Sequence, residues 1–333
     1  MAINRLILAI FVFCLVGLIG CQKEVDVSKK QEDEKGQTVE LPVTSPVVDS
    51  INEQLIEPVT ITVIHPHTFE VIAVISPKQL GFHDDLVQYI ETLEQYAKQL
   101  ARGTETESGF DQSMVLDRIG DDGQVMKGSP KVILKESELV DKILAASEKG
   151  GRVYLPIYVS ESNYYESDLL HLNETVVATY TTYFNAAEEG RSKNIELSAN
   201  ALDQIIVGVG DIFSFNTMVG ERTVEKGYQP APEIINKKRV MGIGGGICQT
   251  SSTLFNAVDL LKVDMKERHH HSISIGYVPE GRDATVAYGV LDFKFQNTTD
   301  VPFIIRTKYV PGAITVEIRT ATRYASTLTS GSG

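Results

Sequence analysis

Cysteine is scarce in this chain, and its placement excludes a disulfide framework. Three cysteines occur in 333 residues. Cys14 lies inside an N-terminal apolar run and Cys21 directly follows it, so Cys248 is the single thiol of the remaining chain. No intramolecular disulfide can form there, and stability must come from a core. Basic charge is also short: 31 Lys and Arg stand against 44 Asp and Glu, for a net charge of −13. Nucleic-acid binders carry a basic stripe, and no nucleic-acid partner is expected. The same balance disfavours adsorption of the polypeptide itself on an anionic bilayer. No Gly-Lys-Ser/Thr follows the glycine run, which removes a phosphate loop, and there is no nucleophile-elbow serine. Internal repeats and heptads are missing too, and no cofactor is expected.

The N-terminus has the parts of an export signal. Arg5 supplies a positive start and Leu6 to Ile19 an apolar stretch, shorter than the roughly 20 residues a spanning helix needs. Leu18-Ile19-Gly20-Cys21 then matches a lipobox, with the small Gly20 before the cleavage point and the Cys21 thiol as acceptor of diacylglyceryl. Residues 1–20 read as a removable signal peptide and Cys21 as the acylated (palmitate-type) N-terminus of a lipoprotein. Two or more chains give stable anchoring. The expected location is the extracytoplasmic face of the cell membrane. Residues 21–57 are crowded with alternating charge from Lys23 to Lys35 and carry Pro42 and Pro46. They read as a disordered tether reaching about 30–35 Å.

The rest reads as α+β: a small N-terminal α+β module over residues 58–165, which resembles wall-binding-type modules, then a C-terminal α+β domain over 172–320 and a flexible tail over 321–333. Val59–Ile64 and Phe69–Ile75 are β-branched runs forming a hairpin around His65 and His67. Leu86, Ile90, Leu93, Ala97 and Leu100 recur at helical spacing behind an Asp84 or Asp85 cap. A second helix carries Leu139 to Leu144, and strands are expected at Val153–Val159 and Thr175–Phe184. Asn194–Val207 reads as a helix and Thr250–Leu261 as another, packed on an antiparallel sheet. Ser272–Val278, Thr285–Phe295, Val301–Tyr309 and Ile314–Arg319 are the expected strands of that sheet.

Chemistry concentrates at Gly244-Gly245-Gly246-Ile247-Cys248-Gln249. A thiol at a helix start is biased toward thiolate by the dipole and free amides. Glycines let backbone approach a substrate and aim N–H groups at one oxygen, so Gly244, Gly245 and Gly246, with the Gln249 side chain, are candidate oxyanion or substrate contacts. His269, His270 and His271 follow at a strand start, with His269 and His271 on one face. His271 is the candidate base. Symmetric pairing about residues 280–281 would set Asp292 diagonal to His271, with Asp283 the reserve. Two plainer readings stand beside this one: Cys248 as a small buried hydrophobe, and the glycines as packing devices. A metal site from His269, His271 and a carboxylate lacks the paired short spacings of a zinc site, and no metal is expected.

Several blocks in order resemble the VanW family: YTTYF (180–184), RSKNI (191–195), GDIFSFN (210–216), VGERT (219–223), GGGICQTSS (244–252), ERHHHS (267–272), GYVPEGRDATV (276–286) and DFKFQN (292–297). The resemblance covers roughly residues 175–307 and implies an exported, envelope-associated protein. Peptidoglycan or its stem peptides are the expected partner, either as substrate for Cys-dependent acyl transfer or amide hydrolysis, or as ligand of a non-catalytic binding module with Cys248 structural.

The lipobox makes a direct prediction. Wild-type protein partitions with membranes, whereas Cys21→Ser releases it to the soluble fraction. Identical fractionation of the two proteins, with no lipid on the wild-type N-terminus, would defeat the reading.

Overall fold

A computed structural model describes residues 58–235 and 238–329; the signal and tether readings, Cys21 included, lie outside these residues. The chain is α+β, with helices set against antiparallel sheets. Strands β1 (Ile61–Ile64) and β2 (Val71–Ile75) pair as the expected hairpin. His65 organises its turn: Nδ1 accepts from the amides of His67 and Thr68, at 3.3 and 3.1 Å. Helix α1 (Leu86–Arg102) is capped by Asp85, which accepts from Gln88 N at 3.0 Å. Its buried stripe is Tyr89, Leu93, Ala97 and Ala101, whereas Leu86 is 51% exposed. The face is therefore rotated from the expected one, because Tyr89 is anchored inside by a 2.8 Å bond to Ser147 Oγ.

Short strands β3 (Arg118–Ile119), β4 (Val125–Met126) and β5 (Lys131–Leu134) precede α2 (Glu136–Ala146). The single strand expected at Val153–Val159 is two: β6 (Gly151–Tyr154), parallel to β1, and β7 (Ile157–Ser160), antiparallel to β5. Pro156 separates them, since proline offers no N–H to a ladder. A one-turn helix α3 (Glu166–Leu169) then leads to β8 (Thr175–Tyr183).

Helix α4 (Glu189–Leu202) starts and stops earlier than its apolar spacing suggests, and β9 (Ile205–Val207) follows. The Asp203 carboxylate accepts from Thr307 N at 2.8 Å and Arg306 Nε at 3.0 Å, which ends the helix. All three residues of β9 are buried, as a β-branched run in a sheet interior should be. Next come β10 (Ile212–Ser214), α5 (Phe215–Val219), the hairpin β11 (Pro230–Ile235) and β12 (Lys238–Ile243), then α6 (Ile247–Val258). Strands β13 (Asp264–Glu267), β14 (Lys294–Gln296), β15 (Phe303–Val310) and β16 (Ala313–Thr320) are followed by a 3-10 turn at Thr322–Tyr324 and α7 (Ala325–Thr329).

The main sheet has six strands in the order β4-β3-β9-β15-β16-β8. Pairing thus runs across the boundary expected near residues 160–172, and Met114 and Leu116 belong to the same apolar cluster as α6. Helix α6 lies on β8 and β16, and α4 on β15. Phe213, Phe255, Phe293, Phe295 and Phe303 fill the core beneath, with Phe213 and Phe295 stacked at 4.8 Å. Among the described residues no helix is long and apolar enough to cross a membrane.

Residues 272–293 depart most from expectation. The strands Ser272–Val278 and Thr285–Phe295 do not form; the isolated bridges His269–Thr285 and Ala287–Leu291 and the short β14 are what remains. Side chains have taken the backbone partners. Ser251 Oγ donates to Ala284 O at 2.6 Å, Ser252 Oγ accepts from Ala284 N at 2.9 Å, and Asn256 Nδ2 donates to Arg282 O at 2.8 Å. Residues 321–329, expected as a frayed end, are docked: Arg323 Nη2 and Tyr324 Oη bind Asp168 Oδ1 at 2.7 and 3.0 Å, and Leu328 is fully buried.

Leu328→Ala is accordingly expected to cost about 2–5 kcal/mol in urea unfolding, the range for a buried leucine. A change below about 0.5 kcal/mol, typical of an exposed end, would contradict this docking.

Candidate active site

Two segments build the site. The first is the turn from β12 into α6. Gly246 is the helix N-cap at φ 110°, a conformation other L-residues avoid. Gly245 is required by space: a Cβ there would sit 2.4 Å from Ala231 O on β11 and 2.7 Å from Pro232 O. Close seating of the turn on β11 fixes Cys248 at the second position of α6. The second segment is the irregular run 269–287, held to α6 by Ser251, Ser252 and Asn256.

Together they bring His271 onto Asp283 through hydrogen bonds and set Cys248 within electrostatic reach of the ring. His271 Nδ1 meets Asp283 Oδ2 at 2.7 Å, and the same oxygen accepts His271 N at 2.6 Å. The imidazole is thereby oriented through two bonds to one carboxylate, and Cys248 is the other group that acts on the ring. Asp283 Oδ1 takes His270 Nδ1 at 2.7 Å. The Cys248 thiol lies 3.5 Å from Val286 O, to which it can donate, and Thr285 Oγ1 donates toward Sγ at 3.7 Å. Tyr277 stands edge-on to His271 at 6.4 Å between centroids, and Arg191 lies 5.9 Å over the Tyr277 ring.

The electrostatics follow from these contacts. Burial pushes the Cys248 thiol up, but the hydrogen bond and charge of His271 outweigh it and hold the thiol below its ordinary value. Burial pulls His271 down, but Cys248 and Asp283 raise it above the usual histidine range. Opposite shifts of this kind move the two groups toward a thiolate and an imidazolium. Burial pushes Asp283 up, yet its bonds to His270 and His271 bring it down to about 2. Its contribution to stability is complete above the ordinary carboxylate pKa near ~4 and is lost as pH falls through about 2.

Cys248 is partly accessible, on the wall of a cleft of about 710 Å³ that also takes in the Gly244–Gly246 turn, His271, Thr285 and Arg222. Two expected members are placed elsewhere. Asp292 does not orient His271: its carboxylate accepts Ser214 Oγ at 2.6 Å and the amide of Asn216 at 2.9 Å, tying β10 and α5 to the 292–293 turn. The symmetric hairpin on which that assignment depended does not exist. Gln249 is buried and its side chain is committed, Oε1 to Arg191 Nη2 at 2.7 Å and Nε2 to Thr182 Oγ1 and Tyr183 O, both at 3.0 Å. It is no oxyanion donor here. His269 pairs with Glu267 at 3.0 Å. Among the described residues no group of His, Cys, Asp or Glu is arranged to hold a metal. Sequence reasoning missed Thr285, Tyr277 and Arg222, although all three fall within the blocks GYVPEGRDATV and VGERT.

The family model described as VanW like protein matches residues 190–319, the stretch holding Cys248, His271 and Asp283. "Uncharacterized protein YoaR" of Bacillus subtilis (strain 168) is 41% identical over 204 residues, covering 60% of this chain and 67% of the relative. The chain belongs to the VanW family. "Vancomycin B-type resistance protein VanW" of Enterococcus faecalis (strain ATCC 700802 / V583) is 27% identical over 143 residues, 41% of this chain and 52% of the relative. The VanW-family chain thus spans two thirds of the first relative and about half of the second. No solved structure matches it.

In this VanW-family site, alkylation of Cys248 should titrate below the ~8.5 of an ordinary thiol. Loss of the base in His271→Ala removes the opposing positive charge, so the midpoint rises. Asp292→Asn should lower the melting temperature while leaving the midpoint in place. An ordinary midpoint in wild type, or one unmoved by His271→Ala, would break the pair.

Proposed function

We propose that this protein is a membrane-tethered, cell-wall-related thiol acyltransferase or amidase acting on peptidoglycan or its stem peptides. The convergence of Cys248 and His271 on one cleft, with Asp283 bonded to the ring, carries the reading. The name of the Enterococcus relative, a vancomycin-resistance protein, supports a connection with the cell wall. The lipobox supports attachment at the outer face of the membrane.

The chemistry balances with the residues present. Cys248 thiolate attacks the amide carbonyl, forming a C–S bond and a tetrahedral oxyanion. The first turn of α6 supplies donors for that oxygen: the amide of Ile247 bonds Gly244 O and that of Gln249 bonds Gly246 O, so the amides of Gly246 and Cys248 are the candidates. As the C–N bond breaks, His271 gives its proton to the departing amine and leaves a thioester. Water, or an acceptor amine, then attacks the thioester carbonyl with His271 taking its proton, and the C–S bond breaks to release the sulfur as thiolate beside the protonated ring. Asp283 keeps the imidazole oriented and stabilises its charged form.

The test is mass spectrometry of stem peptides incubated with the purified protein. Wild type should shorten or exchange them, and Cys248→Ser should lose about a thousandfold or more in rate. Asp283→Asn should lose on the order of a hundredfold or more, as when a triad carboxylate is neutralised. Turnover undiminished in Cys248→Ser would rule out the thiol mechanism; saturable peptide binding without any turnover would favour a binding module with the same cleft.

A further inference from the structure

Arg222 lines the cleft and takes no part in the chemistry above. Its Nη1 and Nη2 are buried with no hydrogen-bond partner among the described residues. The guanidinium carbon lies 5.6 Å from the centroid of the Phe215 ring and 5.7 Å from that of Tyr288. Aromatic faces satisfy a guanidinium from above and below but leave its in-plane N–H groups without acceptors. A buried cation with open donors is costly, and a native structure that retains one has an unmet partner to account for. Nearby Asp292 does not supply it, since its oxygens serve Ser214, Asn216 and Phe293.

The two rings differ in setting. Phe215 is fully buried, whereas Tyr288 is 52% exposed on a tip closed by the Ala287–Leu291 bridge, beside Val290 at 78% exposure. Gly289 occupies φ 75° at that tip. The Phe215 ring is therefore fixed in the core, whereas the Tyr288 ring stands half in solvent at the cleft and can serve as a cover. Glu221 and Glu233 line the same cleft and would oppose a polyanion. Two adjacent terminal nitrogens match the two oxygens of one carboxylate.

We propose that Arg222 anchors a carboxylate of the substrate in the Cys248 cleft, with Tyr288 as the cover that moves aside to admit it. The word substrate rests on the reading of the preceding section; the anion site does not. A cleft so built takes an acyl compound with a free carboxylate near the carbonyl that Cys248 would attack, and discriminates against its neutral amide.

Matched electrophiles test this, with Cys248 serving only to report occupancy. Two pairs of different reach are used on the purified full-length protein: iodoacetate with iodoacetamide, and bromoacetyl-glycine with its carboxamide. Rates are read at the Cys248 peptide by mass spectrometry and normalised to glutathione. In at least one pair the acid should react tenfold or more faster than the amide. Arg222→Gln should bring that ratio to within twofold of glutathione, and Arg222→Lys should retain part of it. Tyr288→Ala should raise the acid rate severalfold with the amide rate unchanged, and no change in either removes the cover. A wild-type ratio equal to that of glutathione in both pairs overturns the anchor. So does a preference that survives Arg222→Gln, which would assign it to His271. If Arg222→Gln fails to fold, the retained preference of Arg222→Lys and the gain in Tyr288→Ala decide the matter, and their joint absence overturns it. An intact acid preference in a protein that never turns over stem peptides would leave the anchor standing and sink only the catalytic reading.

Discussion

Everything in the C-terminal half depends on one buried helix that is polar on the sides where burial normally demands apolar groups. Along α6, Gln249, Thr250, Ser251, Ser252, Thr253 and Asn256 are all buried. Each has a partner in another element or in the helix itself: Thr250 with Ser198 on α4, Thr253 with Thr182 on β8, Ser251 and Ser252 with Ala284, Asn256 with Arg282. A buried polar group left unmet costs about 1–3 kcal/mol, so such a network specifies position far more sharply than an apolar face would. It locates β8, α4 and the 282–286 segment against the same cylinder.

The site inherits its geometry from that network. Cys248 and the side chains that clamp Ala284 and Arg282 lie within three turns of one helix, so thiol and acid are registered through a rigid body. Asp283 sits between the two clamped residues and reaches both the amide and the ring of His271. Gly245 completes the arrangement from the other side, since any side chain there would lift the turn off β11. Arg222 belongs to the same construction: α5, tied to Asp292 through the amide of Asn216, supplies the Phe215 ring beside it.

Regular elements with strong pattern were legible in the sequence. The first hairpin, the Asp85-capped helix, β8, α6, β15 and β16 all appear where alternation, spacing or a cap predicts them. Errors arose where a tertiary hydrogen bond overrode local pattern. Ile206 fits a helical stripe, but Asp203 is recruited by Arg306 and Thr307, so the chain turns into β9 instead. The alternation after Ser272 is real, yet the partners of a strand there were claimed by Ser251, Ser252 and Asn256. Nothing in residues 282–286 alone announces that claim.

By itself, the sequence determined the class of the protein and the candidate chemistry: an acidic chain with one thiol beyond its N-terminal segment, placed after three glycines at a helix start and upstream of a histidine run. These are properties of residue type and spacing. Only the tertiary structure decided which carboxylate faces His271, that Gln249 is occupied by Arg191 and β8, and that Arg222 stands unpaired in the cleft. The reason is that hydrogen bonds are exclusive and short. Asp283 and Asp292 are alike in type and plausible in spacing, and the choice between them falls to whichever donors the packed backbone delivers within about 3 Å.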